Sequence, residues 1–105
     1  MKKFVFAYHG GPNGLTPEEG KAHMGQWMAW MEGLGAAVID RGVALGKSKT
    51  AGPNGIVDDG GSNPLSGYTI IQAEDLDAAL VMASDSPHVK VGGSIEVAPV
   101  MDMSM

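Results

Sequence analysis

His23 is the residue in this chain best placed for acid–base chemistry. Gln26, Trp27 and Trp30 follow it at three, four and seven residues, so all four share one surface of a helix. An imidazole at the border of an apolar stripe can turn one nitrogen toward a cavity while aromatic neighbours hold its ring. Its ordinary titration range suits a general acid or base. The same position also suits a half-buried, hydrogen-bonded structural histidine. A carboxylate that could orient such an imidazole stands at Asp85, in Ser84-Asp85-Ser86-Pro87-His88. Asp85 is equally suited to cap the turn before the proline through its own side chain. His9 and His88 fall near the ends of their elements and can line the same cavity. No His-x-x-x-His pair or other compact ligand set accompanies them, so no metal is expected. Asp58-Asp59-Gly60-Gly61 is short of the ligand series that a calcium loop needs and reads as a solvated turn. Gly10-Gly11-Pro12-Asn13-Gly14 joins a strand to a helix, as phosphate loops do, but lacks both the dinucleotide spacing and a Gly-Lys-Ser/Thr ending.

Composition narrows the partners. The chain has 105 residues, no cysteine and a net charge of −5. Without cysteine there is no disulfide scaffold, thiolate nucleophile or cysteine metal site. An acidic chain with no run of Lys or Arg is a poor match for nucleic acid or an anionic membrane, both of which need clustered positive charge. A small molecule or another protein is the expected partner. Met1-Lys2-Lys3 leads straight into an alternating strand pattern with no apolar export core, so a cytoplasmic location is expected. The length and the absence of an internal repeat or linker predict one domain over residues 1–105.

The secondary structure around these residues follows from period and punctuation. Phe4, Phe6 and Tyr8 alternate with Val5 and Ala7, which predicts a first strand with aromatics on one face. Thr16-Pro17-Glu18-Glu19 supplies an N-cap, a proline in the first turn and a capping-box glutamate. The helix that starts there carries Met24, Trp27, Met28, Met31, Leu34 and Val38 on one stripe, with the methionines read as core filler. Gly35 is a possible stop, but the phase of Val38 predicts continuation to Gly42, with the second strand at Val43-Ala44-Leu45. The polar segment 47–66 contains Pro53-Asn54-Gly55, a turn able to fold a short hairpin around Ile56 and Val57. Gly67–Ala73 reads as a strand. A second helix from Glu74 or Asp75 buries Leu76, Ala79, Leu80 and Ala83 and ends at Asp85-Ser86-Pro87. Ile95 and Val97 mark the last strand. The order is βαββαβ with an extra hairpin or long loop, an α+β ferredoxin-like sandwich with both helices on one sheet face. The strands carry apolar residues on both faces, which predicts that a second copy covers the other one, giving a homodimer of the dimeric α/β-barrel type.

Several ordered motifs look familiar: Ala22-His23-Met24, Ser66-Gly67-Tyr68-Thr69-Ile70-Ile71, and Ala83-Ser84-Asp85-Ser86-Pro87-His88 leading to Gly92-Gly93-Ser94-Ile95-Glu96-Val97. Together they resemble the YCII-related domain family over nearly the whole chain. The resemblance implies a dimeric α/β barrel similar in fold to small ring-modifying enzymes such as muconolactone isomerase, and a pocket holding a histidine and an aspartate. The family's first-helix histidine matches His23. The aspartate of its Asp-Pro-Tyr turn best matches Asp85, although this chain inserts Ser86 and has His88 where tyrosine is usual. Two readings follow. In one, Trp27, Trp30 and Tyr68 wall a pocket for a small, partly apolar lactone- or ring-type metabolite, and His23 moves a proton while Asp85 holds it, an isomerisation or hydration needing no cofactor. In the other, the same dimeric module binds a metabolite or acts as an accessory subunit without catalysis.

Overall fold

A computed structural model of the protein describes residues 1–11 and 14–101. The Gly10–Gly14 loop is therefore described only in part: Pro12 and Asn13 lie outside the described residues, as do Met103 and Met105 of the tail. Strand β1 (Lys2–His9) leads to helix α1 (Pro17–Leu34) and a 3-10 turn (Gly35–Ala37). Next come β2 (Val38–Asp40), β3 (Thr50–Gly52), β4 (Gly55–Val57) and β5 (Leu65–Ala73). Helices α2 (Leu76–Ser84) and α3 (Pro87–Lys90) precede β6 (Ser94–Pro99). The main sheet has the order β2-β5-β1-β6 with every pair antiparallel, and β3 and β4 form a separate hairpin. This is the α+β, ferredoxin-like arrangement. The sheet stays open, with β2 and β6 at its edges, and does not close into a barrel within one chain.

Alternation sets the two faces. Phe4, Phe6 and Tyr8 are buried beside Thr69, Ile71 and Ala73 of β5 and pack against Ala79 and Ala83 of α2 and the indoles of α1. The opposite face carries Val5, Ala7, Tyr68 and Ile70, none of which enters this core, and all four remain partly exposed. One irregularity interrupts the alternation. Tyr8 faces Gly67 while His9 faces Leu65, so Ser66 is an extra residue in β5, and both Tyr8 and His9 are buried in succession.

The helices begin as their caps dictate. Thr16 Oγ1 accepts the Glu19 amide at 3.1 Å and Glu19 Oε1 accepts the Thr16 amide at 3.2 Å, a reciprocal capping box. Asp75 caps α2 by accepting the Ala78 amide at 2.8 Å. The end of α1 differs from expectation. The helix stops at Leu34, and Gly35, at φ 54°, takes the chain out of it through the 3-10 turn. Val38 and Ile39 then join a strand, where β-branched residues pack well, and Val43–Leu45 is reduced to a bridge between Ala44 and Gly67. In α2 only half the expected row is buried: Ala79 and Ala83 are inside, while Leu76 and Leu80 stay exposed.

Candidate functional site

A cleft of about 420 Å³ lies between helix α1, the segment after β2 and the bulged end of β5. From α1 come His23, Met24, Trp27, Met28 and Met31. The facing wall is Arg41-Gly42-Val43-Ala44, and Tyr8, Ser66, Gly67 and Thr69 form the base, with Tyr68 at its border. Met31 is buried, but Met24 and Met28 are half exposed, so these two methionines form a cleft wall and not core filler. Soft, unbranched thioethers suit a surface that adapts to a ligand.

The base is held by a relay of hydroxyls. Tyr8 Oη donates to Thr69 Oγ1 at 2.8 Å, and Thr69 Oγ1 donates to the Arg41 carbonyl at 3.0 Å. Burial pushes the Tyr8 phenol from its ordinary 10.0 up to about 12, against the smaller opposing effect of its bond to Thr69. Gly42 closes the facing wall. Its φ is 71°, a Cβ there would collide with the Tyr68 carbonyl, and its amide donates to Asp40 Oδ1 at 2.8 Å.

The expected site residues separate into two groups. His23, Trp27 and Tyr68 share the cleft. The His23 ring is tilted on Trp27 with centroids 6.3 Å apart, and the histidine hydrogen bonds among the described residues are made by His9 and His88 instead. Trp30 lies behind the cleft, stacked on Phe6 and donating its indole N–H to the Met82 carbonyl at 3.2 Å, a tie between α1 and α2. His88 is buried under the cleft base, edge-on to Tyr8 and Trp27, with Nε2 at 2.9 Å from the His9 carbonyl that accepts from it. Gly93 is small because His88 occupies the space of its missing side chain. His9 meets the Asn63 carbonyl at 2.8 Å through Nδ1 and Glu96 Oε1 at 3.0 Å through Nε2, which fastens the loop before β5 to β6. Asp85 lies exposed at the C-terminal cap of α2 and outside the cleft lining. The inserted Ser86 explains the displacement, because its buried hydroxyl caps α3 by accepting the Val89 amide at 3.2 Å and starts a new turn at that point. Sequence spacing gave no signal for Arg41, Gly42 or Ser66, since their place at the cleft depends on the pairing of residues 43–45 with 66–68. Asp59 of the acidic turn accepts the Gly61 amide at 2.9 Å, and Lys49 pairs with Asp58.

The family model of the YCII-related domain matches residues 2–104. The chain belongs to the YCII-related domain family. Curated proteins offer no match to the sequence. A similar solved structure is that of 5-chloro-2-hydroxyhydroquinone dehydrochlorinase (TftG) from Burkholderia phenoliruptrix AC1100 in complex with 2,5-dihydroxybenzoquinone. It shares 19% identity with a TM-score of 0.55, over 96% of this chain and 94% of that one. At that identity the likeness is one of fold.

Proposed function

We propose that this protein binds a small ring-type organic molecule in the cleft and acts on it as a cofactor-free enzyme, with His23 moving the proton. The observation that carries the reading is one imidazole on the wall of a cleft whose other lining is methionine, tryptophan, tyrosine, small residues, hydroxyls and Arg41. About 420 Å³ suits a single substituted ring. The fold relative holds a dihydroxybenzoquinone, a molecule of this size class. Proton transfer at a carbon or oxygen of such a ring, as in isomerisation, hydration or loss of a small leaving group, needs one group able to take and return a proton, and His23 is that group. Tyr8 belongs to the floor of the cleft and moves no proton: burial raises its pKa to about 12, and its hydroxyl donates to Thr69.

The protein works as a cytoplasmic homodimer in this reading, with a second copy over Val5, Ala7, Tyr68 and Ile70. Among the described residues, no helix is long and apolar enough to cross a membrane. One observation favours a non-catalytic metabolite-binding or accessory module: among the described residues no carboxylate lines the cleft to orient His23. A thermal-shift screen of ring metabolites, followed by product detection on each hit, separates the two. Stabilisation with turnover supports the enzyme. Stabilisation without turnover supports the binding module, and no stabilisation by any ring compound removes both.

A further inference from the structure

Ser66 is the residue at which β5 slips against β1, and a bulge of this kind turns a side chain off the regular alternation, often beside a site. Ser66 borders the cleft. Its Oγ is shielded from water and is, among the described residues, the one buried side-chain polar atom without a hydrogen-bond partner. Buried hydroxyls are nearly always paired, so an orphan on a cleft wall is a polar group awaiting a partner. Arg41, the chain's only arginine, borders the same cleft. The ion pairs among the described residues are His9–Glu96 and Lys49–Asp58, so the guanidinium has no carboxylate there. The adjacent Asp40 accepts the Gly42 amide. Among the described residues neither Asp nor Glu lines the cleft, although the chain as a whole carries a charge of −5.

We infer that the cleft selects a ring compound bearing a carboxylate. Arg41 pairs with the carboxylate, the Ser66 side chain turns about χ1 so that its hydroxyl donates to it, and the ring lies against Met24, Trp27 and Met28. A planar guanidinium fork matches a planar carboxylate, and apolar walls strengthen the pair by thinning the water around it. This inference rests on the small-molecule reading of the cleft given above, and names the class of ligand.

The test is a titration of the full-length protein with benzoate and with its neutral isostere benzamide, followed through the backbone amide resonances of Gly42 and Gly67. Benzoate is expected to bind about tenfold more tightly than benzamide, with Arg41→Gln removing most of that preference. Arg41→Gln keeps the backbone carbonyl that Thr69 donates to, so the fold survives. Ser66→Ala is expected to weaken benzoate several-fold, with the melting temperature equal or higher. Equal binding of the two compounds, or a preference that survives Arg41→Gln, overturns the carboxylate inference and leaves the cleft reading standing. Unaltered benzoate affinity in Ser66→Ala overturns the role of Ser66. Failure of both compounds to move either glycine at millimolar concentration overturns the inference and the cleft reading together.

Discussion

Tyr8 Oη donates to Thr69 Oγ1 at 2.8 Å beneath the cleft, and the same threonine oxygen donates onward to the Arg41 carbonyl. The bond joins neighbouring strands and couples the core to the wall that carries Arg41. Tyr8→Phe removes one donor and leaves the Thr69–Arg41 bond in place, so a loss of about 1 kcal/mol is expected. The alkaline limb of stability should change more. Above an ordinary phenol's 10.0 the unfolded chain releases a proton that the folded chain keeps until about 12. The folded state then binds more protons, so stability falls as pH rises across that window. Below it the contribution is fully present. The unfolding free energy of the native chain, read from denaturant titrations, should drop over that window by an amount on the order of 2 kcal/mol, and Tyr8→Phe should flatten this limb.

Gly42→Ala is expected to be severe. The new methyl meets the Tyr68 carbonyl, which is backbone and cannot give way, and φ is 71°. A loss of about 3 kcal/mol or more, or failure to fold, should appear in thermal melts. Gly25→Ala on the exposed face of α1 is the control. Nothing lies within 4 Å of its Cβ position, so the substitution should stabilise by up to about 1 kcal/mol.

Gly35 and Gly42 show where local sequence signals suffice and where they do not. The Thr16 capping box, the β1 alternation, the Asp75 cap and the Pro53-Asn54-Gly55 reversal each act over a few residues, and each lies where the sequence predicts. Gly35 and Gly42 both have positive φ, but only Gly35 ends the helix; Gly42 is glycine because Tyr68 approaches it from a distant strand. The phase of Val38 looks helical because the 3-10 turn keeps the chain rotating for three more residues. His23, Trp27 and Tyr68 at one cleft were legible from helix spacing and strand pattern. Arg41 and Ser66 were not: a one-residue slip between β1 and β5 sets Ser66 in place, and the pairing of residues 43–45 with 66–68 sets Arg41.

Asp85→Asn tests the separation of the two expected catalytic residues. Asp85 is exposed at the end of α2 and absent from the cleft lining. Turnover of any identified substrate should stay within about twofold of the native rate, and stability within about 0.5 kcal/mol. A hundredfold loss of kcat with an unchanged melt would place the carboxylate back in the chemistry.

Ile70→Lys addresses the uncovered sheet face. Ile70 stands opposite Val5, on the side that the helices do not cover. In a lone chain a lysine there meets water and changes little. In a face-to-face dimer it places an unpaired charge between two apolar sheets. Light scattering should give the dimer mass for the native chain and half of it for the variant, at equal helix content by circular dichroism. A native chain that is monomeric at micromolar concentration would remove the dimer from the proposal.

His23 decides between catalysis and binding. The ring is half-buried against Trp27 at the cleft wall, and none of the hydrogen bonds among the described residues is made by it. Its removal therefore leaves no buried polar partner stranded, and His23→Ala should unfold within about 1 kcal/mol of the native chain. His23→Gln is the sharper variant, because the amide keeps a donor and an acceptor of similar reach but cannot exchange a proton near neutral pH. If His23 is the acid–base group, His23→Gln should bind ligand within a few-fold of the native chain while kcat falls by about a hundredfold or more. Single-turnover measurement on a substrate from the thermal-shift screen reads the two quantities separately. If His23 only anchors the ligand, the pattern reverses: the glutamine variant restores most of the affinity lost in the alanine variant, and the rate of any residual conversion is the same in all three proteins.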